Sequence, residues 1–324
     1  MRTIIGTNIE LACELLIRGE AVAIPTETVY GLAANACNPD AVIKIFEAKN
    51  RPHFNPLIVH THSWESALNY TLEVPEIAHR LAAIFSPGPL TFLLPKKNNI
   101  PDLVTAGSDL VALRIPNHPI TLALLKQLDF PLAAPSANQF GYISPTTAAH
   151  VMQSLEGKIS YILDGGTTTV GLESTIIGFD EQENVIVHRV GGVTIEDIEK
   201  VIGKKVLMTE TKDHNKPQTS GQLKSHYAPN TPLYIGDIEH LYATHRSSKT
   251  ALISLSETYH ELDIAHRFIL SPNNDLNEAA QKLFAALRQI DELEVDVIIA
   301  ERFPNQGLGI AINDRLKRAQ AIYK

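Results

Sequence analysis

Ala21-Val22-Ala23-Ile24-Pro25-Thr26-Glu27-Thr28-Val29-Tyr30-Gly31-Leu32 is an apolar run that opens abruptly into polar residues. The first four residues read as a buried strand. Proline has no amide hydrogen to give to a sheet ladder, so the strand is expected to stop at Pro25. Three hydroxyl-bearing side chains and one carboxylate follow within five residues. Gly31 is then expected to let the backbone turn. Hydroxyls packed this closely at a strand end can donate and accept together, which suits a small polar ligand. Ordinary turn chemistry uses the same residues, so the surroundings have to decide between the two.

Outward from this stretch, residues 1–206 alternate short apolar runs with helical spacing. Strands are expected at 57–60, 90–94, 111–115, 161–163, 175–177 and 185–188, and helices at 41–48, 63–70, 75–85, 120–128, 146–155 and 194–201. Ser-Pro-Gly-Pro at 86–89, Asp-Gly-Gly at 164–166 and Gly-Gly at 191–192 punctuate them. Thr7 and Glu10 have capping-box spacing and should start a helix that runs toward Arg18. Irregular mixing of this kind predicts an α/β or α+β domain around a largely buried sheet.

Residues 207–232 shift to Thr, Lys, Asn, Pro, Ser and Gly, the composition of a linker. His226 and Tyr227 are more than a spacer needs, so this linker is expected to fold back over a site. From residue 233 the pattern becomes strand, helix, strand, helix, with strands at 233–235, 250–255 and 295–300. A helix follows the Pro-Asn-Asn-Asp at 272–275. A small doubly wound, Rossmann-like α/β domain is expected over 233–324.

Composition limits the function. The chain has 324 residues and a formal net charge of −8, and acidic residues exceed basic ones in both the 1–206 and 233–324 segments. A protein that mainly grips nucleic acid usually carries the opposite bias. Glu10, Glu14 and Arg18 interrupt the N-terminal apolar residues, unlike a signal peptide. Cys13 and Cys37 form no CxxC and no disulfide framework, which fits free thiols in a cytoplasmic protein. GxxxxGK[ST], GxGxxG and HExxH are absent, so any nucleotide must be held by cationic side chains and amides outside those loops. His60 and His62 alone make a poor metal site.

Several polar residues sit where strands should end. Lys49 and Arg51 precede or adjoin Pro52, which favours extended backbone before it, so both cations are expected to face one anion. Arg114 ends an apolar strand, well placed for bidentate capture of a carboxylate or phosphate. Ser136 and Asn138 follow another apolar run. Ser144-Pro145-Thr146 is expected to open a helix whose amides favour anions. Ser174 and Arg189 lie at the edges of two further strands. Such a gathering at strand ends is how polar small-molecule sites in α/β folds are built.

The motifs PTETVYGL, KNRP-x3-PLIVH, SPGPLTF, VTAG, ALRIPNHP, APSAN, SPT, DGG, GLESTI and HRVGG occur in this order over residues 25–192. Together they resemble the YrdC/Sua-type L-threonylcarbamoyladenylate synthases. HYAPNTP at 226–232 and the domain after it resemble the longer, two-domain form. The resemblance implies a YrdC-like twisted α/β sheet domain over 1–206, a linker at 207–232 closing over the active site, and a C-terminal Rossmann-like domain over 233–324. It implies a nucleotidyltransferase reaction: L-threonine, bicarbonate or CO2, and ATP (with Mg²⁺) give L-threonylcarbamoyladenylate and pyrophosphate. That product opens the route to N6-threonylcarbamoyladenosine at position 37 of ANN-decoding tRNAs. Other proteins complete the transfer, with at most weak or transient tRNA contact here.

By this resemblance Thr28, His60, Arg114, Ala134 and Ser174 match threonine-binding positions. Arg51, Asn55, Leu110, Ser136, Ser144, Arg189 and Tyr227 match ATP-binding ones, and His226 lies in the motif that closes over the nucleotide. Lys49 and Arg51 match the basic, catalytic motif. A threonine N-carboxylate is already an anion, so its attack on the α-phosphate needs charge neutralisation more than a base. Besides a purely structural role, which leaves the clustered hydroxyls and cations unexplained, two rival readings remain. One is a non-catalytic RNA-binding module, which the acidic balance disfavours. The other is a carbamoyl-transfer enzyme of related chemistry, whose zinc-binding cysteines this chain cannot supply.

Overall fold

The computed structural model describes residues 2–52, 55–209, 219, 227–257 and 259–320. The chain divides into two compact units. The first comprises residues 1–140, 145–169 and 173–223, and the second residues 141–144, 170–172 and 224–324.

The first unit begins with β1 (Ile4–Gly6), α1 (Ile9–Ile17), β2 (Val22–Ile24), β3 (Gly31–Asn35), α2 (Pro39–Lys49) and β4 (Ile58–His60). It continues through α3 (Trp64–Ala67), α4 (Glu76–Phe85), β5 (Leu90–Pro95), α5 (Asp102–Thr105), β6 (Leu110–Arg114) and α6 (Pro119–Leu125). The last elements are β7 (Leu132–Ala133), α7 (Ala148–Leu155), β8 (Tyr161–Leu163), β9 (Thr175–Phe179), β10 (Val185–Arg189), α8 (Ile195–Ile202) and β11 (Leu207–Met208). Among the described residues the strands form one mixed sheet in the order β1-β8-β2-β3-β7-β4-β6-β5-β9-β10-β11. The expected α/β fold with a buried sheet is therefore present. Leu207 and Met208, at the start of the expected linker, pair with β10 as its edge strand.

Side chains alternate across a strand, and the two faces of this sheet differ in chemistry. One face packs Val59, Phe92, Leu94, Val111, Leu113 and Val187 against α2, α4, α7 and α8 in the main core. On the other face, α1 and α6 cover the β1-to-β7 half through Leu16, Val22, Ile24, Leu124 and Leu132. The remaining half of that face has only a small apolar patch of Ile58, Leu93, Ala112 and Ile176. The next residues of the same alternation, at the strand ends, are His60, Thr91 and Arg114.

Four local expectations are corrected. Gly31 does not turn the chain but starts β3, which pairs antiparallel with β2 (Ile24 opposite Gly31). The reversal is made earlier, where the Thr26 hydroxyl accepts the amides of Thr28 and Val29. Asn8, not Thr7, caps α1 by accepting the Leu11 amide. Lys49 is the last helical residue of α2, and Asn50 caps it in the left-handed region (φ 50°), so Lys49 and Arg51 are not an extended pair. Ser144 opens no helix, because α7 is capped by Thr147, which accepts the His150 amide.

In the second unit β12 (Leu233–Gly236), α9 (Ile238–Thr244), β13 (Thr250–Ser254), β14 (His266–Ile269), α10 (Leu276–Asp291), β15 (Val297–Glu301) and α11 (Leu308–Gln320) follow in sequence. All the strands are parallel, in the order β12-β15-β13-β14. Leu252 and Ile299 pack with Ile238 and Leu241 of α9. The short segment 141–144 belongs here: the Tyr142 hydroxyl donates to Asp291 (3.0 Å), and Arg288 donates to the Ile143 carbonyl. The Arg288 guanidinium also lies 4.9 Å from the centre of the Tyr142 ring.

Candidate active site

The candidate site is assembled at strand ends of the first unit. β4 and β6 run parallel with His60 opposite Arg114, and β5 runs antiparallel with Thr91 opposite Arg114. The three side chains thus form a row across neighbouring strands, and all are buried. The Thr91 and Ser174 hydroxyls are 2.7 Å apart. Arg189 donates from Nε and Nη2 to the Ser174 carbonyl (3.2 and 2.9 Å) and from Nη2 to the Ser174 hydroxyl (3.2 Å). Ser174 is therefore held from both sides.

The 25–30 loop closes one end of the row. The Thr26 hydroxyl lies 2.8 Å from that of Thr28 and donates to the Val29 carbonyl (2.6 Å). Between the two threonines, Glu27 turns its carboxylate to Arg114, with Oε1 2.8 Å from Nη2. Both side chains are only 5% exposed. Arg114 Nε donates to the Gly88 carbonyl at 3.3 Å.

The segment after β7 forms the next wall. The Ala134 amide donates to the Ile58 carbonyl (2.9 Å), and Leu32 donates to the Pro135 carbonyl (2.7 Å). Gly31 meets Ser136 in an isolated bridge. A side chain at Gly31 would bring its Cβ to 3.2 Å from that of Ala134, so glycine serves close approach here rather than a turn. Lys49 Nζ donates to the carbonyls of Ser136 and Asn138, both at 2.5 Å. Arg51 donates to the carbonyls of Asn55 (3.3 Å) and Pro56 (3.0 Å), with its guanidinium 5.9 Å from the Phe140 ring centre. Asn55 is fully buried, and neither atom of its side-chain amide has a hydrogen-bond partner among the described residues. A buried amide left without partners costs about 1–3 kcal/mol, a penalty a polar ligand would remove.

Burial sets the charge states. It pushes the His60 imidazole down to about 3, helped by the neighbouring Arg114 cation. His60 is thus neutral at physiological pH, with Nδ1 3.2 Å from the Ile58 carbonyl. Burial, followed by the Arg51 cation, holds the Lys49 ammonium well below its ordinary value. Its two carbonyl contacts are what the charged form gains in return.

Of the residues expected from the sequence, Thr28, His60, Arg114, Ala134, Ser174, Lys49, Arg51, Asn55, Leu110, Ser136 and Arg189 all lie in the first unit. Leu110 begins β6 and packs on the small apolar patch. Ser144 and Tyr227 lie in the second unit. There the Tyr227 ring packs between Arg315, 5.0 Å from its centre, and Phe284, at 5.7 Å between centroids. His226 lies outside the described residues. Glu27 and Thr91 were assigned no role from the sequence, although both stand inside motifs, PTETVYGL and SPGPLTF. Among the described residues, no three His, Cys, Asp or Glu converge where they could hold a metal ion.

The fold is that of an α/β protein whose strand ends carry buried arginines, hydroxyls and a neutral imidazole, groups whose chemistry complements a small, polar, anionic ligand. The chain belongs to the Sua5/YciO/YrdC family, described as telomere recombination, which it matches over residues 14–191; residues 193–321 match the threonylcarbamoyl-AMP synthase C-terminal domain. It is 43% identical over 321 residues to threonylcarbamoyl-AMP synthase of Bacillus subtilis, covering 96% of this chain and 92% of the relative. The enzyme of that name from Pyrococcus abyssi is 41% identical over 323 residues, covering 96% and 94%. The crystal structure of P. abyssi Sua5 complexed with L-threonine superposes with a TM-score of 0.91 at 40% identity, covering 98% of each chain.

Proposed function

We propose that this protein is a threonylcarbamoyladenylate-forming enzyme. It joins L-threonine, bicarbonate and ATP into L-threonylcarbamoyladenylate, releasing pyrophosphate and water, as the first step toward N6-threonylcarbamoyladenosine in tRNA. The observation that carries this reading is the buried row of His60, Arg114 and Thr91, continued by Ser174 and Arg189, in a chain related along its whole length to enzymes of that name.

Arg114 holds the amino-acid carboxylate. Thr28, His60 and Ser174 supply uncharged donors and acceptors for the remaining polar atoms of threonine, with Ala134 contributing backbone. Lys49, Arg51 and Arg189 neutralise the triphosphate while the carbamate oxygen attacks the α-phosphorus. Asn55, Ser136, Ser144 and Tyr227, with the Leu110 backbone and His226, complete the nucleotide contacts. An anion attacking a polyanion is slow chiefly for electrostatic reasons, so fixed cations in a dry site are the main catalytic device. Mg²⁺ fits as a companion of the ATP phosphates, which usually supply its ligands together with water; bound there it would add positive charge to the transferring group. The 1–206, 207–232 and 233–324 division, with the middle segment closing over the nucleotide, belongs to the same reading. So do cytoplasmic placement, the nucleotidyltransferase class, and downstream transfer proteins as partners. No described helix is long and apolar enough to cross a membrane.

The test is pyrophosphate release from ATP by the purified protein, with threonine or bicarbonate omitted in turn. Release that requires both supports the reading. Release with neither, or none with both, overturns it.

A further inference from the structure

Glu27 is a buried carboxylate beside the row of strand ends that the reaction as written leaves idle. Its carboxylate is nearly closed to solvent, and among the described residues neither oxygen accepts a hydrogen bond of proper angle. The neighbouring Thr28 and Val29 amides, which might have served it, are taken by the Thr26 hydroxyl. Its ion pair with Arg114 is its close charged contact, and Arg114 Nη2 likewise lacks a hydrogen bond of good angle. A buried carboxylate held this sparsely is costly. The cost is repaid if something else completes the site.

The spacing shows what that would be. An α-amino acid carries its carboxylate and its ammonium on one carbon, so the two charges sit side by side. A guanidinium and a carboxylate 2.8 Å apart present the two opposite charges at the same spacing. Arg114 takes the substrate carboxylate, and Glu27 is left facing the ammonium. The chemistry also needs a proton acceptor at this point, because an ammonium has no lone pair with which to attack carbon. His60 is a poor one: burial beside Arg114 opposes its protonation, and Nδ1 is engaged with the Ile58 carbonyl. His118 lies near Glu27 and contacts the Gly165 carbonyl at 3.4 Å, but it is half-buried rather than enclosed with the row.

We propose that Glu27 receives the α-ammonium of threonine and takes its proton as the nitrogen attacks bicarbonate. The N–H electron pair stays on nitrogen and forms the N–C bond. The C–OH bond of bicarbonate breaks, and the hydroxyl takes the second proton released by the nitrogen and leaves as water. Ammonium, bicarbonate and the Glu27 carboxylate thus become carbamate, water and a protonated Glu27. This rests on the synthase reading and extends it, since it gives the first bond-forming step its own group.

The experiment separates C–N bond formation from adenylate transfer. Wild type, Glu27→Gln and Glu27→Asp are assayed forward, as pyrophosphate release from ATP with threonine and bicarbonate. They are assayed in reverse as ATP formed from preformed threonylcarbamoyladenylate and pyrophosphate, which involves no ammonium. Glu27→Gln should lose about 10²-fold forward while its reverse rate falls far less, and Glu27→Asp should recover part of the forward rate. Forward activity of Glu27→Gln equal to wild type overturns the proposal. So does an equal loss in both directions, which would make Glu27 only a seat for Arg114. If Glu27→Gln does not fold, the ratio of forward to reverse rates in Glu27→Asp decides in the same way. A wild-type protein inactive in the forward assay would instead remove the synthase reading itself.

Discussion

The Thr91 hydroxyl, from the antiparallel strand β5, stands 2.7 Å from the Ser174 hydroxyl in the turn that enters β9. That contact links the row on β4, β6 and β5 to Arg189 on β10, which grips Ser174 by its carbonyl and its hydroxyl. Ser174→Ala removes an oxygen that two buried groups share. It should cost about 1–3 kcal/mol of stability, because a buried donor loses its partner. It should also raise the KM for threonine. Thermal unfolding and threonine titration on the same samples check both, and an unchanged melting temperature would show that Thr91 and Arg189 do not depend on Ser174.

Arg114→Lys keeps the charge but loses the planar fork. With Glu27 and the row still in place, threonine affinity should fall about tenfold or more, equivalent to about 1.4 kcal/mol, while ATP affinity changes little. Calorimetric titration with each substrate separately distinguishes this from general damage, which would weaken both.

His60 ties stability to acid. Its folded value of about 3 lies below the unfolded value of about 6.5, so the unfolded chain binds a proton first. The stability contributed by neutral His60 is therefore complete above about pH 6.5 and is lost as pH falls toward 3. At pH 5 the loss from this residue is about 2 kcal/mol. His188, pushed down to about 4 by burial, acts in the same direction. Denaturant unfolding between pH 7 and 5 should show a slope that shrinks by one proton in His60→Gln; an unaltered slope would mean that His60 does not titrate this way.

Gly191 and Gly203 should respond very differently to alanine. A Cβ at Gly191 would meet the Glu173 carbonyl oxygen at 2.2 Å and the Ser174 backbone at 2.5 Å, forcing apart the strand ends that carry the site. Gly203 caps α8 at φ 72° with nothing within 4 Å of the added carbon. Gly203→Ala should cost about 1 kcal/mol, whereas Gly191→Ala should lose several times that, together with threonine binding. Comparable melting temperatures for the two would refute the packing argument.

Much of the site could be read from the chain because strand ends announce themselves. Apolar runs close on Arg114, His60 and Arg189, and period-two alternation places His60 and Arg114 on one face. What escaped notice depended on pairing between distant segments. β7 is two residues long between Pro131 and Pro135, and β3 is Gly-Leu-Ala-Ala-Asn, so their local pattern looks like loop; pairing with each other and with β2 and β4 makes them strands. Lys49 was misread because Pro52 favours extension, while the apolar residues Val42, Ile45 and Phe46 carry α2 through Lys49 and bury them in the core. The Glu27–Arg114 pair joins residues far apart in sequence, and nothing in PTETVYGL alone distinguishes that carboxylate from a helix-cap residue.

The four residues 141–144 have a consequence for how this chain can be inherited. They are written inside the first unit's stretch of sequence, yet Tyr142 meets Asp291, and the Ile143 carbonyl receives Arg288, a buried cation. A recombination event that exchanged only the segment from 224 onward would bring in a new helix α10 and keep the old four residues. Such crossovers keep these contacts only between parents that agree at both places, so the 141–144 segment and α10 are expected to diverge in step.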